Sequence, residues 1–442
     1  MDMTALSTTQ DSKYFPHEDA MRVAVHNEIL GRPQARMGLP VQIACLVVLN
    51  ADVDLEAEIR HLALLPGQKD LTATALQTPF LRIQVGPCTL KWERHAEFTA
   101  YSVMRALPPS TLLNDPPQQL LSQLLLDDDW LRNIPGRTLG ALHLVMLLGD
   151  PPSAVTRAAA YDHWFTTGAA VASQMGTPVH SSVVTDFALQ EDGFERMLVL
   201  AATGMSEGRV GRVAQRLLEI ETYRLMALRS LPAAQQLGPW LEEAEQRLVG
   251  IHTQINGILN SNQDLLNALA RLAADVERAV ADHRRSFDAS KAYHALVTQR
   301  LTELREKPIP GTQTLGEFMH RRLSPAMATV VAAGQRLDAL STRVDHTSAL
   351  LRTRVEVTLE AQGRVAMNTM ASVRLLLQRV QRTLQVLSIA AVTFFVVQLL
   401  LHIGHAVQRG GFALELELWV GALVPVALGG IWWLVHRINQ RL

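Results

Sequence analysis

Cysteine is almost missing from this sequence. Cys45 and Cys88 are the only two in 442 residues, and both lie in apolar, strand-like segments. Two buried thiols in a reducing compartment are expected, with a disulfide or a redox pair as the alternative. An excess of charge of either sign is also missing: 41 Lys and Arg stand against 42 Asp and Glu. Nothing in that balance suits a nucleic-acid partner, and no basic run is interleaved with aromatics as a base-stacking surface requires. The opening MDMTALSTTQDSKYF has neither a basic start nor an apolar core, so no secretory signal is expected and the body should stay on the side where it is made. The common catalytic motifs are missing as well. The chain has no P-loop, no GxGxxG after a strand, no HExxH, no CxxC pair and no GxSxG. Their absence removes the usual routes to an enzyme without excluding one.

What the chain does have is long uncharged runs near its C-terminus. No residue between Arg382 and Arg409 carries a permanent charge, and Leu384 to Val407 within that gap is almost wholly apolar. A helix crossing a bilayer needs about 20 such residues. A second run, Leu418 to Val435, is fenced by Glu417 and Arg437 and carries Trp419, Trp432 and Trp433 near its ends, where interfacial anchors sit. It is short for a span, and Pro425 with Gly429-Gly430 makes it a poor straight helix. A pair of buried core helices is the alternative reading. Arg374, Arg379 and Arg382 precede the first run, and Arg437 and Arg441 follow the second, whereas the link 408–417 has one Arg against two Glu. The positive-inside rule then expects two passes through a membrane, both termini cytoplasmic and the link outside.

Upstream, helix is expected from about Trp240 to Glu306, with Ile251, Ile255, Leu259, Leu266, Leu269, Leu272, Val276 and Val280 on one stripe. The segment KPIPGTQT breaks it, and helix resumes at Leu315, tolerating Pro325 near its start. From Leu337 a stripe continues through Leu340, Val344, Leu351, Val355, Leu359, Ala366, Met370, Val373, Leu377 and Val380 to Leu384 and Leu387, with no proline or turn before the first apolar run. Unbroken from Pro325 to Val407, such a helix is roughly 120 Å long. It must bury its stripe against the preceding helix, against copies of itself, or both. A homo-oligomer is the favoured expectation, and an antiparallel hairpin within one monomer is the alternative.

Ahead of these helices the chain alternates strand-like and helix-like patches. Strands are expected at Val41 to Leu49, Leu81 to Val85, Thr89 to Met104, Arg137 to Leu148, Ala169 to Gln174, Val179 to Leu189 and Arg196 to Ala202, with a turn at Gly86-Pro87. Helices are expected at Leu55 to Leu65 and Ala154 to Phe165. The fold class is therefore α+β: a mixed-sheet α/β domain over 1–235, a long helical hairpin or stalk over 236–383, two transmembrane helices over 384–436 and a cytoplasmic tail over 437–442.

Several strings form a pattern: NEILGRP (Asn27 to Pro33), KWERHAEFTAY (Lys91 to Tyr101), TDFALQEDGF (Thr185 to Phe194) and GRVAQRLLEIETYRLMAL (Gly211 to Leu228), with FDASKAYHALVTQRLTELRE and QTLGEFMHRRLSPAM beside them. In these strings the chain resembles the bacterial domain-of-unknown-function family 3422, described as putative membrane-anchored proteins, over nearly its whole length. The first motif departs from the family's EVHARP: Leu30 and Gly31 stand where its histidine is expected, so no role of that histidine carries over. The family name implies no activity.

If Lys91 to Tyr101 is one strand, Glu93, His95 and Glu97 share a face. Two carboxylates and an imidazole in a row suit a divalent cation or acid/base work; a solvated face or a salt-bridge ladder is the plainer reading. Glu221 and Arg224, three apart, are expected to pair locally, with Glu219 and Tyr223 nearby, and to organise a domain junction. Arg32-Pro33 with Arg36 offers an anion contact without a phosphate cradle. His402 and His405, one turn apart near the outer end of the first run, are the ionisable groups expected within the membrane.

Two functions of different class fit. One is a non-catalytic membrane-anchored scaffold or sensor, whose partners are the lipid bilayer, copies of itself and a protein or ligand of unstated kind. The other is an ion channel or transporter, because the layout is similar to that of CorA-type magnesium channels: a cytoplasmic α/β domain, a stalk helix entering the first span, a short external loop and a second span with a basic tail. The Gly-Met-Asn signature of those channels is not present; Ile403-Gly404-His405 and Arg409-Gly410-Gly411 occupy that region. The likeness is of layout alone.

Overall fold

The computed structural model describes residues 19, 21–22, 36–72, 79–124, 126–149, 164–166, 171–255, 262–409 and 416–439. Two compact units emerge, one of 1–256 with 267–345, the other of 257–266 with 346–442.

The first unit is built on one mixed sheet. Its strands are β1 (Val41–Leu49), β2 (Phe80–Val85), β3 (Cys88–Arg94), β4 (Phe98–Ala106), β5 (Arg137–Leu148), β6 (Val171–Met175), β7 (Ser181–Thr185), β8 (Glu195–Ala201) and β9 (Glu306–Pro308). They lie in the order β2-β3-β4-β1-β5-β8-β7-β6-β9. The β5–β8 pair is parallel, while β1 is antiparallel to both of its neighbours. Unbroken apolar sequence explains the centre: VQIACLVVL in β1 and RMLVL in β8 read as strands covered on both faces, and both are buried along nearly their whole length. Between β2 and β3, Val85 pairs with Cys88 and Gly86 takes φ 58°, the conformation that a two-residue hairpin turn with glycine first demands.

Helices α1 (Leu55–Leu62), α2 (Pro117–Leu124), α3 (Asp128–Arg132), α4 (Glu207–Leu228), α5 (Leu231–Ile255), α6 (Asn262–Leu304) and α7 (Leu315–Arg409) complete the described elements as far as Arg409, and α8 (Leu416–Asn439) follows. Two apolar clusters fill the sheet unit. One gathers Leu62, Leu90, Trp92, Tyr101, Leu124 and Trp130. The other gathers Val145, Leu147, Trp164, Val184, Leu198 and Ile309. Along α6 the buried positions include Leu269, Leu272 and Val276, and along α7 Leu323, Met327, Val330, Leu337, Leu340 and Val344. These are the three-four spacings of a helix face turned to a core.

Several expectations change. The strand expected from Thr89 to Met104 is a hairpin, broken at 95–97. Asn50, at the end of β1, explains the break: its Nδ2 donates to the His95 carbonyl (2.9 Å) and its backbone N–H to the Glu97 carbonyl (3.3 Å). The single helix expected from Trp240 to Glu306 starts earlier, at Leu231, and is described as α5 and α6, with 256–261 outside the described residues. KPIP contributes the short edge strand β9, against β6. Helices α2 and α3 were not expected. NEILGRP and most of Ala154 to Phe165 lie outside the described residues, as do 410–415 of the expected external link.

In the second unit the α7 stripe stays buried to Leu351 and then opens. Leu359 is 61% exposed, Met370 71%, Leu377 59% and Phe395 73%. Helix α7 holds an 18-residue window of mean hydropathy 2.3, of which 6% is buried, and among the described residues it is the one helix long and apolar enough to cross a membrane. The apolar part of α8, Val424–Trp433, is shorter than that. By length and composition, then, α7 is able to span a membrane where the first run is expected to, and a two-helix hairpin is not shown.

Candidate functional site

On one face of the sheet, β1, β3 and β4 meet α4 and α6 around a cavity of about 240 Å³. Strand alternation decides which side chains reach it. Lys91 and Glu93 of β3 face the cavity, whereas Leu90 and Trp92 enter the apolar cluster on the opposite face. The register sets Cys45, Ser102 and Lys91 in one row across three strands. Helix α4 adds Gln215, Glu219, Thr222 and Tyr223, and α6 adds Arg300.

The charges in this cavity compensate one another. Lys91 Nζ lies 2.7 Å from Glu93 Oε2, with both side chains nearly buried. The Arg300 guanidinium pairs with Glu219 and, at 2.9 Å, with Glu303. Burial works against the Arg300 charge, yet the two carboxylates more than offset it and hold its pKa above the ordinary value. Gln215 donates to Glu219 Oε1 at 2.8 Å. Cys45 is no nucleophile: complete burial pushes its thiol pKa up, and the Ser102 hydroxyl (Oγ to Sγ 3.4 Å) and Lys91 counter this only in part. Cys88 is likewise free, buried and raised by burial. The cavity is a paired, near-neutral polar pocket suited to holding a small polar molecule, and it presents no activated nucleophile among the described residues.

Of the three residues expected to hold a cation, Glu93 and His95 line this cavity and Glu97 lines a different one. Glu93 enters the cavity with Lys91. His95 sits on the 95–97 turn and stacks on Phe98, ring centroids 4.3 Å apart. Glu97 turns to α6, where the Tyr293 hydroxyl donates to it; burial first, and this carboxylate second, raise the Tyr293 pKa. Because Asn50 ends the ladder at His95, the period-two row on which the expectation rested does not exist. Among the described residues no group of three or more His, Cys, Asp or Glu is placed to hold a metal ion. His402 and His405 are exposed on α7, each with Nδ1 donating to the carbonyl one turn back, Gln398 O and Leu401 O, both at 2.8 Å.

Glu221 and Arg224 do pair, with Nε to Oε2 at 3.0 Å, and Arg224 also bridges to Glu195 of β8 at 2.9 and 3.0 Å. Glu195 was missed by sequence reasoning because it opens an apolar strand with nothing to mark it. Burial first, and the Glu221 charge second, push its pKa up to about 8. Arg224 also lies over the Phe187 ring (5.4 Å), which stacks on Phe318 of α7 (4.6 Å). Glu58 was missed too. It is fully buried on α1, accepting from Trp92 Nε1 (3.0 Å) and Thr99 Oγ1 (2.8 Å) and pairing with Arg94 (2.7 Å).

The sequence profile of a family described as "Protein of unknown function (DUF3422)" matches residues 17–442. No curated protein and no solved structure matches the chain. The likeness to CorA-type channels thus gains no support from these comparisons.

Proposed function

The chain belongs to DUF3422, a family of proteins of unknown function, and for it we propose the role of a non-catalytic, membrane-anchored scaffold or sensor that assembles with copies of itself. The observation that carries this reading is the change along α7. Its apolar stripe is buried as far as Leu351 and exposed from Leu359 through Leu387 to Phe394, Phe395 and Leu399. Apolar surface on that scale is not left in water. The stretch between Leu359 and Val380 repeats at the three-four-seven spacing that a second copy of the same helix covers. The stretch beyond Arg382 is uncharged up to Arg409 and suits a bilayer. A second pass through α8, with both termini on the cytoplasmic side of an inner membrane, follows from the arginines at 374, 379, 382, 437 and 441. The paired polar cavity, which lacks an activated group, fits ligand holding better than catalysis.

Cross-linking tests this directly. Because Cys45 and Cys88 are buried, single cysteines can be added without background. On treatment of isolated membranes with copper phenanthroline as oxidant, Val373→Cys on the stripe should form a disulfide-linked dimer, and Leu375→Cys, about 200° around the helix from it, should not. Equal yields from both, or none from either, remove the oligomer. For topology, Arg409→Cys should take an impermeant maleimide from outside intact cells and Asn439→Cys only after lysis. The reverse pattern overturns the two-pass orientation. Cation release from loaded liposomes would replace the scaffold with a channel.

A further inference from the structure

A second cleft in the sheet unit has the opposite electrostatic character to the paired cavity. Arg209, Arg212 and Arg216 recur at three and four along α4, so they share one face. With Arg305, from the end of α6, they line a cleft of about 390 Å³ that also takes in the β6–β7 turn. Among the described residues four guanidinium groups and one carboxylate line it, and that carboxylate, Glu303, pairs with Arg216 (3.1 Å) and with Arg300 outside the cleft (2.9 Å). The next acid along, Glu306, is engaged elsewhere, accepting from Ser173 Oγ (2.9 Å) and the Gly316 N–H (2.8 Å).

Arg305 has φ 50°, the left-handed region in which a helix end ordinarily places glycine. An arginine at that position accepts strain that glycine avoids. The loop that braces it is equally constrained: the Gly176 N–H donates to both Leu304 O and Arg305 O at 3.2 Å, Gly176 has φ 93°, and a Cβ there would lie 2.3 Å from the His180 ring. His180 registers the field. Burial first, then Arg209 and Arg216, hold its pKa below the ordinary value, so the ring stays neutral while Nδ1 and Ser181 Oγ lie 2.8 Å apart.

We infer that this cleft binds a phosphate-bearing small anion, gripped by Arg209 and Arg305 with Arg216 beside them. Guanidinium groups are the side chains that match phosphate oxygens two at a time. The volume falls at the small end of the range for small-molecule sites, about 300–1,000 Å³. With Arg216 offset by Glu303, Arg209 and Arg305 still bring two positive charges to that volume, which suits an anion with two negative charges. The same chemistry has two sources, a soluble phosphorylated molecule and an anionic lipid headgroup.

The test titrates inorganic pyrophosphate into the full chain in phosphatidylcholine nanodiscs, by calorimetry, with Arg209→Gln and Arg305→Gly beside the wild type. Saturable binding to the wild type is expected, weakened roughly tenfold or more in each variant, the loss that one charge-assisted contact carries. R305G should unfold at no lower temperature than the wild type, because the substitution relieves strain while removing the charge. If it does unfold earlier, R209Q, at an exposed position, decides. Absence of saturable binding to the wild type, or equal binding by wild type and R209Q, overturns the inference. Repeating the titration in discs with added phosphatidylglycerol separates the sources. Weaker pyrophosphate binding there, dependent on Arg209, identifies a lipid headgroup as competitor; unchanged binding identifies a soluble phosphate.

Discussion

Replacing Glu195 by Gln should abolish most of the pH dependence of stability that the sheet unit shows between about pH 4.3 and about pH 8. Glu195, Glu221 and Arg224 form one buried triad, two carboxylates on one guanidinium, joining β8 to α4. Two carboxylates and one arginine leave one negative charge in excess, and burial together with the Glu221 charge pushes the Glu195 pKa up to about 8. In the unfolded chain that carboxyl titrates near the ordinary value of about 4.3. The folded value lies above the unfolded one, so the contribution is fully present below about pH 4.3 and is lost as pH rises through about 8. At about 1.4 kcal/mol per pKa unit the loss amounts to a few kcal/mol, and it belongs to the pair rather than to one carboxyl. Glutamine copies the protonated form: it keeps an acceptor for Arg224 and offers a donor to Glu221. Glu195→Gln should therefore match the wild type near pH 5 and exceed it by a few kcal/mol at pH 9. Thermal unfolding followed by tryptophan fluorescence reads this, since Trp92, Trp130 and Trp164 are all buried in the sheet unit. Wild-type and variant curves that run parallel from pH 5 to 9, with Glu221→Gln also parallel, would refute the shared-proton account.

Trp92→Phe removes the indole N–H from the buried Glu58 carboxylate, which keeps Thr99 and Arg94 as partners; a loss of about 1–3 kcal/mol is expected in urea unfolding. Cys45 and Cys88, both buried with raised thiol pKa values, should react with a thiol reagent at pH 8 only after denaturation, and prompt labelling of the native protein would contradict their placement. Val373→Asp, on the exposed part of the α7 stripe, should dissociate the oligomer in detergent while leaving the melting temperature of the sheet unit within about 1 °C, since the residue is 49% exposed.

Much of the fold was legible because its central elements are fenced by strong local signals. β1 runs from Val41 to Leu49 as expected, an apolar stretch closed by Pro40 and Asn50. Helix α7 begins at Leu315 and passes Pro325, as the pattern after KPIPGTQT implies. Elements whose conformation depends on distant partners were not legible. β9 is a strand only because β6 pairs with it. The break at His95 exists because Asn50, forty-five residues earlier, captures two carbonyls of the turn. The cavity followed the same division. Glu93 and His95 were singled out and do line it, but Cys45, Ser102 and Arg300 arrive there through sheet register and helix packing. Arg300 in sequence is one more charge on a long polar helix. The arginine spacing along α4 could be read from sequence, whereas the backbone strain that holds Arg305 beside it could not.

The central claim is that the end of α7 lives in a bilayer, and sedimentation tests it most directly. Cells expressing the full chain are broken and the membranes pelleted, washed with alkaline carbonate, then treated with detergent. The chain should stay in the pellet through the carbonate wash and leave it only in detergent. Full-length protein in the first supernatant, without detergent, would contradict the account.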